Sequence, residues 1–263
     1  MMSFDRVADV YDATRGLPPG VDEAVADRIV AATSAGPETR FLEIGVGTGR
    51  IALPLIRRGY PFTGVDISTQ MLDRLRDKAG SPPNLTLIEA DIRELPLEDN
   101  SQDVVLAIHV FHLVEQWEQA LEEALRVLKP RGHFIFGGNV SVGTDTRPDW
   151  GRIRQEWGRL VQEMGASVTP RHGEWYDVQE ALTARGGRIA VYRAASWMRE
   201  FRPIDLMEAM RRRTFSASWA VPEEVLEAAH PKLLSWGAET YGDVHATIAE
   251  EEEFLLDVCR FEG

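Results

Sequence analysis

The stretch Phe41–Arg50, FLEIGVGTGR, limits what this chain can fold into more than any other. Phe41, Leu42 and Ile44 have the apolar character of a buried strand end. Gly45, Gly47 and Gly49 follow at alternate positions, and Arg50 opens a run in which Ile51, Leu53, Leu55 and Ile56 recur at helical spacing. Strand, glycine loop and helix in that order form the first turn of an α/β unit of the dinucleotide- or nucleoside-binding kind. Glycines suit such a loop because they adopt backbone angles other residues avoid and let the main chain come close to a ligand.

The spacing narrows the ligand. A G-x-G-x-x-G dinucleotide fingerprint places its third glycine for close helix–strand packing, which here would be position 50. That position is Arg50, and the third glycine, Gly49, comes one residue early. Glu43 also stands inside the strand, two residues before Gly45. The next apolar stretch, PFTGVDIS, ends in Asp66, at the tip of an expected second strand and about 20 residues past the loop, where a carboxylate can accept both ribose hydroxyls. Its structural alternative is a helix N-cap, a role for which Ser68 is better placed. A third strand, NLTLIEAD, leads to Asp91 and Ile92, followed by the polar turn LPLEDNSQD. The fourth, DVVLAIHV, is almost continuously apolar, as expected of a strand covered on both faces, and ends near His109 and His112. A helix over 117–128 and the stretch RVLKPRGHFIFGG complete the series.

These stretches, ordered over about residues 4–140, resemble the class I S-adenosylmethionine (SAM)-dependent methyltransferases, in particular their small-molecule "type 11" branch. The E-x-G-x-G-x-G pattern, the acidic strand tip, the LPxxDxSxD-like turn and the LKPGG-like turn carry the likeness. Arg131 replaces the first glycine of the last of these, a departure expected to touch only the turn. The resemblance implies an α/β, Rossmann-like, doubly wound seven-stranded sheet with its last strand antiparallel. It also implies a SAM site formed by Glu43, Gly45, Val46, Gly47, Gly49, Asp66, Ile67 and Met71. Asp91 would accept from the adenine amino group, with Ile92 against the ring, and His109 would contribute backbone contacts. Tyr11 and Arg15, in the YDATR stretch, would fold over the cofactor and meet its carboxylate; surface packing is the alternative.

The second half has a different composition. All the tryptophans but Trp117 lie beyond Ser141. Helices are expected over 150–164, 177–184, 204–212 and 222–236, with strand character in GRIAVYRAASW and EFLLDVCRF. The chain is therefore expected to form one structural domain, a SAM-binding core over 1–140 and a half over 141–263 that completes the sheet. Helical insertions would follow strand five and separate strands six and seven. Trp150, Trp157, Trp197 and Phe201 would form an apolar lid over the acceptor, a dimer interface being the rival use of such aromatics. The acidic run 250–253 is expected as a solvated element boundary.

Chemistry follows from the sulfonium donor, which is activated already. The protein must chiefly align acceptor, methyl carbon and sulfur. A base is required only where the acceptor must lose a proton, and His112 is the best placed; His172 and His230 are further histidines of the second half. The net charge of −13 disfavours a nucleic-acid acceptor, and the run Arg211–Arg213 is expected as a solvated helix face. One cysteine, Cys259, excludes an intrachain disulfide and a multi-cysteine metal site, and no metal is expected. No secretory leader or membrane span is read, which points to the cytoplasm. The expectation is a methyltransferase acting on a small molecule, as monomer or homodimer. A tRNA or other nucleic-acid methyltransferase and a non-catalytic SAM-binding module are the alternatives.

Overall fold

The computed structural model describes Asp5 and residues 8–142 and 149–261. Helix α1 (Ala8–Arg15) and helix α2 (Val21–Thr33) precede the sheet. Then come β1 (Phe41–Ile44), α3 (Ala52–Arg57), β2 (Phe62–Asp66), α4 (Thr69–Ala79), β3 (Leu85–Glu89) and β4 (Gln102–Ile108). A single 3₁₀ turn (Phe111–Leu113) leads into α5 (Trp117–Val127) and β5 (Leu128–Val142). The second half holds α6 (Asp149–Glu163), α7 (Trp175–Ala184), β6 (Gly187–Phe201), α8 (Pro203–Arg211), α9 (Glu223–Tyr241) and β7 (Ile248–Phe261).

The seven strands form one sheet in the order β3-β2-β1-β4-β5-β7-β6, with β7 antiparallel. β1 lies parallel between β2 and β4, Phe41 facing Phe62 on one side and Val104 on the other. Strand order reverses between β1 and β4, and loops after these two strands flank the crevice where open α/β sheets take ligands. All four residues of β1 are buried, and β4 is buried except at Asp103. Covered faces of this kind explain their unbroken apolar sequence.

Two compact units divide the described residues. A sheet unit draws on Met1–Asn139, Arg171–Ser196 and Phe254–Gly263, and a helical unit on Val140–Pro170 and Trp197–Glu253. The chain passes from one to the other within β5, β6 and β7. In the sheet unit, Leu42, Ile44, Val105, Leu121, Phe134 and Phe136 are among the side chains of a core that α5 and α7 share. The helical unit has its own core, where Ile153, Trp157 and Leu160 of α6 meet Met207 and Met210 of α8 and Leu226, Ala229 and Leu233 of α9.

One expectation changes. Residues 250–253 are not a boundary: they lie inside β7, and Glu252 is buried with its carboxylate 2.8 Å from the Arg199 guanidinium. Four acidic residues in a row hid the strand's alternation, which a half-buried arginine partner on β6 makes tolerable. The run Arg211–Arg213 is held in ion pairs with Glu208, Glu227 and Glu223. No helix of the described residues is long and apolar enough to cross a membrane.

Candidate functional site

The glycine loop is fastened to the tip of β2. The Val65 carbonyl accepts from both Gly45 N–H and Val46 N–H, at 2.8 and 3.0 Å. Gly47 N–H donates to Asp66 Oδ2 at 2.8 Å, and Ser68 N–H donates to Asp66 Oδ1 at 2.9 Å. Asp66 is thus the post around which loop and strand close. Burial raises its carboxyl pKa, and the N–H groups of Ser68, Gly47 and Ile67 pull the other way. With three N–H groups on the carboxylate, one lone pair remains for a ligand. Ser68 caps α4, its hydroxyl accepting from Met71 N–H at 3.2 Å, so the cap and the acidic strand tip are separate residues. Met71 itself is buried, and Ile67 is half-buried beside Asp66.

The glycines have different duties. Gly45, Gly47 and Gly49 all take positive φ, at 69°, 54° and 79°. A Cβ on Gly49 would come within 2.2 Å of Leu75 Cδ1, so Gly49 is the glycine that lets α4 pack close to the loop. The packing role missing at Arg50 is filled one residue earlier. A Cβ on Gly47 would meet no protein atom within 4 Å, so that side of the loop is open. Arg50 instead donates to the Arg15 carbonyl at 2.7 Å.

Glu43 sits in the middle of β1, 3% exposed, and its Oε2 has no hydrogen-bond partner. Burial pushes its pKa up to about 8; the nearby Arg50 charge lowers it and Asp66 raises it. A buried carboxyl left in this state is costly, and such groups cluster at functional sites.

Helix α1 is tied to the loop. Asp12 accepts from Thr48 Oγ1 at 2.6 Å and from Lys78 Nζ at 2.8 Å. Asp5 accepts from the Ser68 hydroxyl. The Arg15 guanidinium stacks over the Tyr11 ring at 5.3 Å, with burial and the Arg50 charge lowering its pKa. Helix α1, which carries Tyr11 and Arg15, is thereby fastened to the glycine loop. Asp12, Thr48 and Lys78 were not singled out from the sequence, and Arg50 was noted only for standing in place of a packing glycine. A carboxylate and a lysine 66 residues apart give no local signal.

Asp91, two residues past β3, is already engaged. Its carboxylate accepts from Arg93 N–H at 2.9 Å, from Nε at 3.0 Å and from Nη2 at 2.6 Å. Those bonds hold it below the usual carboxylate range. Ile92 is fully buried in the core of the sheet unit.

His109 directly follows β4 with φ 54°. Its Nε2 accepts from Asn139 N–H at 3.1 Å, and a Cβ on Gly138 would strike the ring at 2.3 Å. Burial pushes its pKa down to about 3, helped by the charge of Arg50. The imidazole is neutral, and with Nε2 accepting, the proton belongs on Nδ1. His112 lies in the 3₁₀ turn, where its carbonyl accepts from His172 N–H at 3.3 Å. His230 of α9 faces Glu208, with Nε2 3.1 Å from the carboxylate, inside the helical unit.

Among the expected lid residues, Trp157 is wholly buried in the core of the helical unit, so its ring packs α6 against α8 and α9. Trp197 is half-buried on β6, and Phe201 is half-buried beneath the Arg199 guanidinium, 5.3 Å from its ring centre. The side chain of Trp150 lies outside the described residues. No group of three or more His, Cys, Asp or Glu among the described residues could hold a metal ion.

The sheet order and the glycine loop are those of the Rossmann-like methyltransferase fold. Residues 42–136 match the family described as "Methyltransferase domain". An uncharacterised methyltransferase of Mycobacterium tuberculosis is 35% identical over 151 residues, 57% of this chain and 56% of the relative. A ubiquinone/menaquinone biosynthesis C-methyltransferase of Brucella abortus is 37% identical over 141 residues, 50% of this chain and 52% of the relative. The chain thus spans about half the length of these curated relatives. Among solved structures, a phosphoethanolamine N-methyltransferase 2 of Haemonchus contortus, in complex with phosphomonomethylethanolamine and S-adenosylhomocysteine, shares the fold. Its TM-score is 0.58 at 18% identity, covering 99% of this chain and 59% of that one.

Proposed function

We propose that this protein binds SAM at the glycine loop and transfers its methyl group to a small-molecule acceptor. The observation that carries the reading is the buried, unpartnered Oε2 of Glu43 beside that loop. A cation brought next to it would draw off its proton and pair with the carboxylate left behind. An open approach at Gly47, a post with a spare lone pair at Asp66 and the Tyr11–Arg15 pair on α1 all fit an adenosyl amino acid.

When bound, SAM supplies a methyl group on positively charged sulfur. The chain's own residues position and shield. Asp66 holds the loop and offers its remaining acceptor capacity to a ribose hydroxyl. His109, neutral and donating through Nδ1, orients a ligand without competing for a proton. Asp91 reaches an adenine amine only by sharing its carboxylate with Arg93. Where the acceptor must lose a proton, His112 is the proposed base. The net charge of −13 supports a small molecule over a nucleic acid.

Calorimetric titration with SAM, followed by labelled-methyl transfer to a metabolite panel, tests the proposal. Saturable SAM binding is expected, and no measurable binding of NADH. Asp66→Ala should weaken SAM by ~1–3 kcal/mol, the range for a lost hydrogen bond to a charged group. Unchanged SAM affinity in that variant, or saturable NADH binding, would overturn the assignment. Tight SAM binding with no transfer to any acceptor would favour a binding module over an enzyme.

A further inference from the structure

A second cavity of about 700 Å³ opens in the sheet unit, lined by Arg131, Arg188, Arg260, Tyr192 and Phe261 among others. It lies away from the glycine loop. Arg131 stands just before His133, which faces Val104 near the start of β4, whereas the glycine loop follows the opposite, carboxyl end of the parallel β1. The volume is within the range of small-ligand pockets, roughly 300–1,000 Å³.

Three features of the lining point to an anion. No acidic residue lines the cavity, although acidic residues outnumber basic ones 42 to 29 in the chain. Arg131 and Arg260 form no ion pair among the described residues, where most other arginines are paired. The Arg28 guanidinium stacks over Tyr192 at 5.8 Å, adding a fourth positive group at the rim. Two guanidiniums with no ion pair, Arg131 and Arg260, leave positive charge at this cavity that an anion can answer.

Arg131 supplies an independent observation. It is exposed and held at φ 65°, in the left-handed region that residues with a side chain disfavour. Glycine would sit there without strain. Arg131 lines the cavity from that exposed turn. Ile189, Val258, Tyr192 and Phe261 add apolar surface to the same lining.

We propose that this cavity binds a small organic anion, a phosphate or carboxylate on an aromatic or aliphatic body, at a site separate from the methyl-transfer centre. The guanidiniums take the anionic head, for which their planar donor forks are suited, and the apolar surface takes the body. The inference does not depend on the reading of the glycine loop.

Phenyl phosphate is the probe, titrated calorimetrically into the full chain with and without S-adenosylhomocysteine, beside inorganic phosphate. Phenyl phosphate should bind saturably, at least tenfold more tightly than inorganic phosphate, and equally well in both conditions. Arg260→Gln should weaken it at least tenfold. Arg131→Gly should weaken it similarly while raising the melting temperature, because strain is relieved, so lost binding cannot be blamed on misfolding. Absent binding, unchanged affinity in both variants, or displacement by S-adenosylhomocysteine would overturn the proposal. So would an oligomer, seen by sedimentation, that falls apart in Arg131→Gly and so shows a second copy filling the cavity. Binding confined to phosphatidate vesicles would replace the small molecule by a membrane headgroup.

Discussion

The two units serve their buried carboxyl groups differently. In the sheet unit, Glu43 and Asp257 each keep an oxygen with no partner, and burial raises the pKa of both. Asp257 has only one oxygen served, by Trp175 Nε1 at 3.0 Å and Gln179 Nε2 at 2.5 Å. In the helical unit the buried Glu252 carboxylate is answered by Arg199. That unit's core is mainly apolar, yet it too buries polar atoms that have no hydrogen-bond partner, Trp157 Nε1, Arg213 Nε and His230 Nε2, while surface charges pair along helices, as in Arg159 with Glu156. Polar groups left short of partners are costly and persist where a site uses them. Unpartnered polar atoms occur in both units, and what sets the sheet unit apart is a fully buried carboxyl group of raised pKa beside the glycine loop, Glu43.

The largest test of that contrast is Trp157→Ala. Truncating a fully buried tryptophan costs about 3–5 kcal/mol. Denaturant melts should show that loss, with SAM affinity at the glycine loop retained. If the variant keeps its stability and instead loses acceptor turnover, Trp157 is a substrate contact and not a packing residue.

Gly47→Val strikes the other unit. No protein atom lies within 4 Å of the added Cβ, but the φ of 54° strains a side chain by about 1–2 kcal/mol. SAM binding should disappear while circular dichroism stays native-like. Intact binding would show that the loop's open side does not face the ligand.

Glu43→Gln sharpens the comparison through pH. The folded Glu43 pKa, about 8, lies above the ordinary 4.5, so the folded state holds more protons than the unfolded one between these values. Stability from this group is full below pH 4.5 and falls as pH rises toward 8. His109 acts in the opposite sense. Its folded pKa of about 3 lies below 6.5, so its contribution is full above pH 6.5 and is lost as pH falls toward 3. The two offset each other between 4.5 and 6.5, leaving Glu43 to set the slope from 6.5 to 8. Glu43→Gln should flatten that slope, by an amount on the order of a few kcal/mol. In the parent protein SAM binding should release a proton near neutral pH, seen as a binding enthalpy that depends on the buffer. The same alkaline slope in Glu43→Gln would place its origin elsewhere.

The sheet was legible in the sequence because its signals are local. Strand β2 ends at Asp66, Ser68 caps α4, and the glycine spacing excluded a packing glycine at position 50. What stayed hidden joins distant positions. Asp12 meets Thr48 and Lys78 only once α1 lies on the loop, and Asp257 meets Trp175 and Gln179 only across α7 and β7. The capture of Asp91 by Arg93 is local, yet a turn's conformation decides it and periodicity carries no such information. In the helical unit, α6, α8 and α9 were visible from apolar spacing, but spacing does not say which tryptophan faces inward. Trp157 took the core, and the acidic run that reads as solvated is a strand paired to Arg199.

The smallest expected effect belongs to Trp197→Ala. Trp197 is half-buried on β6, next to Met198, which is 61% exposed, so little packing depends on it. Substitution should change stability by no more than about 0.5 kcal/mol, the usual range for surface positions. SAM affinity should also stay the same, because every contact described at the glycine loop lies in the sheet unit. If the helical unit selects the acceptor through its exposed aromatics, the readable change is a several-fold rise in KM for the acceptor with kcat nearly constant, the pattern of lost ground-state and transition-state binding alike. Phe201→Ala, with its ring under Arg199, is the companion variant and should add a modest stability loss. A stability loss in Trp197→Ala as large as that of Trp157→Ala, with KM unchanged, would make both tryptophans packing residues. Acceptor choice would then rest with the sheet unit alone, and the helical unit would be a scaffold throughout.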